Sequence, residues 1–361
     1  MGPIPETARM DPDASPAGDS RLRPLLIALL VIGLVLLAWR LANVLMLGFG
    51  GVLVAILLRN LAKFVSRWTP LPVGASLVVV VLGFVLLASL FVASAGPRVA
   101  EQFGQLWQAL PEALQRFRDF VGQYDWGRNL LEGGSPPEPG NLLSMATGLL
   151  GTVFNAAADA LLVLVVALFL AADPVPYRRG LLHLVPPARR RRAAEILDAM
   201  GGGLWHWILG QSVAMLCVGV ITTVGLMLIG IPLALALGIL AGLLNFIPYV
   251  GPILSGAPAV LIAFAQNPAN ALSTLLLFLG VQNLEGYVLT PILQRKAVSI
   301  PPALGILTIV GLGTLFGAYG VLFATPLLVI AMILVWMLYV EDALGERGAA
   351  IRQSEARTPP C

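Results

Sequence analysis

Glu285 stands in Gln282-Asn283-Leu284-Glu285-Gly286, at the middle of an apolar run from 270 to 293. A carboxylate within hydrocarbon costs about 3 kcal/mol on insertion scales unless it is protonated, paired or wetted. Protonation is the least costly of these, and it would let Glu285 exchange protons. The residue can equally serve as a neutral acid or a structural partner that holds helices together. Gln282 lies three residues away and can share its helix face, whereas Asn283 is adjacent to Gln282 and cannot share that residue's face. A second polar feature is Asn245, at the start of Asn245-Phe246-Ile247-Pro248-Tyr249-Val250-Gly251-Pro252. Prolines and a glycine at this density break a helix, and the freed amides and carbonyls then need protein, water or a solute as partner. The Asn245 amide suits either role, capping the loosened backbone or touching a polar solute.

Other candidates are weaker. Asp159, in Asn155-Ala156-Ala157-Ala158-Asp159, is read as a structural residue near the outer end of its apolar run. His183 and His206 have no Cys, Asp or His at ligand spacing, so no metal site is expected and both are read as interfacial. The arginines at 189–192 can meet anionic lipid heads, although a topology signal explains them as well. Cys217 and Cys361 form no framework. There is no Gly-x4-Gly-Lys-Ser/Thr, which excludes a built-in ATP motor. No cofactor is expected.

The elements that must position these residues are membrane helices. The chain has 361 residues, 58% hydrophobic and 11% charged, with mean hydropathy +0.88, against roughly 25% charge in a soluble domain. That composition predicts an all-α polytopic membrane protein of about eight transmembrane segments at ~20 residues each. Broken or re-entrant helices are expected in its C-terminal half, and one amphipathic helix outside. No soluble catalytic domain fits beside them, so an enzyme is not expected. The net charge of +3 comes from basic residues in short loops, where membrane orientation explains them and nucleic-acid binding does not.

The organisation follows from the runs. Residues 1–23 read as a disordered cytoplasmic tail, and 24–96 hold three segments. The first, 25–39, resembles a signal anchor without a cleavage site. An exported stretch, 97–140, balances its charges and repeats Val99, Phe103, Leu106, Leu110, Leu114, Phe117 and Val121 at helical spacing, with Pro111 expected to bend the helix. This stripe can pack on the protein itself, join another subunit, or lie in the lipid interface with Trp107 and Trp126. Residues 133–140 form its return loop. A further segment fills 141–172, a basic cytoplasmic loop 173–203, a transport core 204–340 and a cytoplasmic tail 341–361. Arg59, Lys63, Arg67 and the arginines at 178–179 and 189–192 put their loops, and both termini, in the cytoplasm.

Ala-Leu-Gly-Ile-Leu occurs at 236–240 and again at 303–307, each copy after an Ile-Pro. Tyr249/Tyr319, Gly251/Gly320 and Pro258/Pro326 then align with small gaps. If every run from 233 onward crosses once, Arg295 and Lys296 fall outside. A hairpin at 233–265 that dips in and returns would place them in the cytoplasm, with 302–340 crossing out and back, and the two copies would enter from opposite faces as an inverted repeat. Chance recurrence in a chain this rich in Ala, Leu, Gly and Ile is the other explanation.

The segments Leu244-Asn245-Phe246-Ile247-Pro248-Tyr249-Val250-Gly251-Pro252 with Pro258, Gln282-x-x-Glu285-Gly286 with Pro291, Pro301-Pro302, Gly317-x-x-Gly320 and Ala324-x-Pro326-Leu327 together resemble the autoinducer-2 exporter (AI-2E) family of bacterial permease-like proteins. The match is dense from 204 to 340, and the rest agrees in layout; Gly311-Leu312-Gly313 stands where members often carry adjacent glycines. The resemblance implies a homo-oligomeric permease of the bacterial inner membrane that exports a small solute. Some members are linked to the furanosyl quorum signal and others to sodium/proton exchange. On this reading a secondary transporter exports a small polar solute along a path lined by Asn245, Pro248, Tyr249, Gly251, Pro252, Gln282, Asn283, Glu285, Gly317, Gly320 and Pro326. Two alternatives stay open: a sodium/proton-type antiporter titrating Glu285, and a membrane scaffold or envelope-assembly partner acting through the exported helix.

Overall fold

A computed structural model describes Gly33 and residues 41–124, 158–289 and 301–345. The chain divides into two units, 1–45 and 46–361; all that follows concerns the second. The described residues are helical and contain no strand. The expected first span at 25–39, the return loop at 133–140, and Pro291, Arg295 and Lys296 lie outside them.

Helix α1 (Ala42–Trp68) is largely apolar up to Leu58 and carries Arg59, Lys63 and Arg67 beyond it, whereas α2 (Val73–Ser94) is apolar nearly throughout. Val78, Leu82, Leu86 and Leu90 of α2 are exposed, as lipid-facing side chains must be. The amphipathic α3 (Gly96–Val121) continues through Pro111. Helix α4 (Ala158–Ala172) turns by 87° into the short α5 (Val175–His183). The longest helix, α6 (Arg190–Ile229), has 40 residues and spans ~60 Å. Beyond it come α7 (Ala234–Leu244), α8 (Val250–Gln266) and α9 (Pro268–Leu284). Helix α9 continues into a π-helical turn, Glu285–Leu289. Last is α10 (Pro302–Leu334), interrupted at Gly317 and prolonged by a π-helical Val335–Ala343. Five of these helices are long and apolar enough to cross a membrane, or six if the bent α4–α5 pair is one span.

Helices α7 and α8 form a hairpin. At 11 and 17 residues they rise ~16 and ~25 Å, short of a ~30 Å hydrocarbon core. Both open ends are held by α3. Near the start of α7, the Ala236 amide donates to Gln102 Oε1 at 3.0 Å, and near the end of α8 the Ala265 carbonyl accepts from Arg116 Nη1 at 2.8 Å. Leu106 and Ala113 of α3 join the buried cluster of α7 and α8, and Phe117 and Phe120 stack edge-on against Phe264 at 5.4 and 5.2 Å. Much of the apolar stripe thus packs on the protein itself. The most buried residue of α3, Ala113, is not a member of the stripe as spaced from its bulky residues.

Helix α10 also doubles back. In a straight helix residues eight apart are ~12 Å distant, yet a Cβ on Gly320 would overlap the Leu312 carbonyl. The reversal occurs at Gly317, whose φ of 62° and ψ of −141° suit only glycine. The arm 302–316 rises ~22 Å, again less than a full crossing. The second arm ends at a four-partner contact in which Arg192, on the first turn of α6, donates to Glu195 at 3.2 Å, Glu341 at 2.6 Å, Asp342 at 3.1 Å and the Met337 carbonyl at 2.9 Å.

These fastenings fix an arrangement. The α7–α8 hairpin follows directly from the C-terminal end of α6, and the α10 hairpin is tied to its N-terminal end. Some 37 residues, or ~55 Å of helix, separate the two attachments. The tips approach each other between them, where Phe246 and Tyr319 pack into one cluster with Trp207 and Phe323. The pentapeptides are less alike than the breaks they precede. Ala236 and Leu237 are fully buried, whereas Leu304, Ile306 and Leu307 are exposed.

Candidate functional site

The first hairpin tip is built by residues that cannot continue a helix. After Leu244 the backbone closes with turn hydrogen bonds, Ile247 N to Leu244 O at 3.0 Å and Gly251 N to Ile247 O at 2.9 Å. Pro248 supplies no amide, and Tyr249 takes the left-handed φ of 66°. Gly251 then passes so close to the Leu244 carbonyl that a Cβ would collide with it. Pro252 lies in the first turn of α8, where its missing N–H costs nothing. Ser255 Oγ, one turn on, donates to the Gly251 carbonyl at 2.9 Å.

Two other helices, α6 and α9, bring polar groups to this tip. Asn245 is 2% exposed; its Nδ2 donates to Glu285 Oε1 at 2.7 Å, and its carbonyl accepts from Gln211 Nε2 of α6, also at 2.7 Å. Gln282 Nε2 reaches the other Glu285 oxygen at 3.5 Å, long for a hydrogen bond. Glu285 sits where α9 loosens into its π turn, a deviation that often accompanies functional residues. Both partners are neutral amides, and no Lys, Arg or His pairs with Glu285 among the described residues. A proton can therefore arrive or leave without breaking an ion pair.

Asn283 stands apart, since it is exposed and donates to the Leu279 carbonyl one turn back at 2.7 Å. Tyr249 is 44% exposed and has no hydroxyl partner in the polar cluster. Gln211 is the residue that sequence reasoning missed. Its signal was present, a lone amide within the apolar run 204–231, but nothing in the spacing says which carbonyl it serves.

The second tip repeats the plan with different atoms. A residue of positive φ precedes a glycine whose Cβ would strike an earlier carbonyl: Tyr249 before Gly251 in one, Gly317 before Gly320 in the other. An acid from a separate helix meets each tip, Glu285 at the first and Asp159 of α4 at the second, where the Tyr319 hydroxyl donates to Asp159. Asp159 lies twelve residues, ~18 Å of rise, from Ala171, whose carbonyl accepts from Arg59 at 2.6 Å. Pro326 is fully buried one arm further along. The three glycines of the α6–α7 crossing, Gly219, Gly238 and Gly242, let the backbones touch, as small residues do at membrane helix interfaces.

No group of three or more His, Cys, Asp or Glu that could hold a metal occurs among the described residues. His183 and His206 each bond the carbonyl one turn back on their own helix, at 2.7 and 2.8 Å.

Several known proteins share this chain's sequence pattern. YueF of Bacillus subtilis (strain 168), a candidate transport protein, is 27% identical over 273 residues, covering 71% of this chain and 74% of YueF. YhhT of Escherichia coli (strain K12), described in the same words, is 25% identical over 287 residues, covering 76% of this chain and 78% of YhhT. The candidate permease PerM of the same strain is 31% identical over 156 residues, 42% of this chain and 44% of PerM. The model of the AI-2E family transporters matches residues 25–339, which include both hairpins, α6 and the polar tip. A multi-pass membrane protein with this match over most of its length belongs to the AI-2E family of transporters.

Proposed function

We propose that the chain is a secondary transporter that exports a small polar solute across the bacterial inner membrane along a path formed where the two hairpin tips meet. The observation that carries this reading is the contact of Asn245 with Glu285 beside an unwound backbone. In lipid such a break persists only where protein or water satisfies it, and paired breaks of opposite entry are the usual surroundings of a midplane solute site. Gln211, Gln282 and the tip carbonyls supply donors and acceptors for a hydroxylated solute, and the furanosyl quorum signal fits that chemistry. The positive-inside pattern puts the Arg192 end of α6 in the cytoplasm and α3 outside, so the two copies form an inverted repeat. About eight spans, cytoplasmic termini and a homo-oligomeric assembly complete the reading.

A sodium/proton-type antiporter is the second reading, and one observation favours it: the partners of Glu285 among the described residues are two amides and no cation. Purified protein in liposomes separates the two. The vesicles are loaded with the furanosyl signal, or with a pH-sensitive dye under an imposed sodium gradient, and compared with Glu285→Gln. Export with solute release that survives Glu285→Gln supports uncoupled export. Proton flux driven by sodium that disappears in Glu285→Gln supports the antiporter, and absence of any flux in either assay contradicts both.

A further inference from the structure

The α4–α5 corner borders an open cavity of about 590 Å³ between α1, α4, α5 and the N-terminal part of α6. Arg59, Lys63 and Arg178 line it, against a single carboxylate, Asp198. The cations are held differently. Arg59 spends one nitrogen on the carbonyls that end α4, Ala171 at 2.6 Å and Ala172 at 3.3 Å, which fixes its guanidinium and leaves its remaining donors free. Arg178 pairs with Asp198 at 2.7 Å. Lys63 is exposed and makes no ion pair among the described residues. Asp173, the other acid at this corner, is occupied in capping α5 through the Val175 amide at 3.1 Å.

The walls are apolar. Val52, Ile56 and Leu170 face the same space, with Trp205 beside them. Because α5 leaves α4 at 87°, it lies across the helix bundle, and its exposed Val175, Tyr177 and Leu181 beside Arg178 and Arg179 give it the composition of an interfacial helix. A cavity with a cationic mouth and a hydrocarbon floor at that level suits a phosphate on an acyl chain better than a freely soluble anion.

We propose that this cavity binds the phosphodiester headgroup of an anionic membrane lipid, with Lys63, Arg59 and Arg178 on the phosphate and an acyl chain along Val52, Ile56 and Leu170. Basic pockets between transmembrane helices on the cytoplasmic side take such headgroups. The lipid would then bridge α1, the α4–α5 bend and α6 at the end where Arg192 fastens the second hairpin.

The test uses the full chain purified in neutral detergent, with phosphatidylglycerol or phosphatidylcholine added and the bound lipid counted by native mass spectrometry. The expected result is retention of phosphatidylglycerol over phosphatidylcholine by ~10-fold, reduced several-fold in Lys63→Gln and further in Lys63→Glu, with Arg98→Gln, an exposed arginine of α3 outside the cavity, unchanged. Lys63 is exposed and makes no hydrogen bond or ion pair among the described residues, and a matching melting temperature in the absence of lipid separates loss of binding in its variants from loss of structure. Equal loss in Arg98→Gln would show diffuse attraction and overturn the proposal. So would retention unaffected by Lys63→Glu, or displacement of the lipid by millimolar inorganic phosphate, which would assign the cavity to a soluble anion.

Discussion

The chemistry of the site rests on a few side chains that have little room to change. Asn245→Ala removes the short donor to Glu285 and leaves the long contact from Gln282, so a half-buried acceptor loses its better partner at a cost of about 1 kcal/mol. The loss should appear as a lower melting temperature in detergent, partly restored by lower pH if protonation relieves the orphaned carboxylate. The glycines make a sharper contrast. Gly251→Ala and Gly320→Ala each push a methyl into a backbone carbonyl, which cannot rotate away as a side chain would, and each should cost about 1–3 kcal/mol. Gly280→Ala on α9 meets nothing within 4 Å and should be neutral or slightly stabilising. Equal melting temperatures for all three would remove the case for two matched close approaches. The residues of the first break and Glu285 were legible from sequence because prolines, glycines and a carboxylate are rare and costly inside apolar runs. The partners were less so, because a hydrogen bond between residues 34 or 40 positions apart leaves no local pattern; Gln211 and the Tyr319–Asp159 contact became visible only when distant helices were brought together.

At the scale of elements, helix length and fastening decide what each hairpin can do. Helix α7 is too short to cross, a fact the continuous apolar run from 233 to 265 conceals, since hydropathy does not record where the chain reverses. Likewise the run from 302 to 340 reads as two crossings by length, whereas the reversal at Gly317 leaves a first arm of only ~22 Å. The role of α3 was open between self-packing, subunit contact and lipid, and the charged and amide residues settle part of it: Gln102 and Arg116, polar residues beside the stripe, hold the two open ends of the α7–α8 hairpin. Replacing both, Gln102→Ala with Arg116→Ala, should free those ends while leaving the Trp207 cluster intact. Hydrogen exchange measured by mass spectrometry should then rise in 234–266 and not in 204–229. Unchanged exchange in the hairpin would mean that the apolar stripe alone secures it.

Across the whole molecule, α6 acts as the axis on which two oppositely fastened hairpins meet. One hairpin grows from its C-terminal end and is braced by α3; the other is anchored to Arg192 at its N-terminal end through Glu341 and Asp342. With a polar centre at one tip and an acid–tyrosine contact at the other, a small movement of either hairpin would expose the meeting point to one face of the membrane. Such a movement is how broken-helix repeats give alternating access. The central claim is that the meeting point of the tips is reached by water. It is tested most directly by cysteine accessibility in sealed vesicles, using Tyr249→Cys and Ala318→Cys, each at an exposed tip position, in a background with Cys217 and Cys361 replaced by serine. Both should react with a membrane-impermeant thiosulfonate, and a transported solute should slow the reaction. Cysteines at both tips that react only with a lipid-soluble maleimide would place them in hydrocarbon and contradict a path between the hairpins.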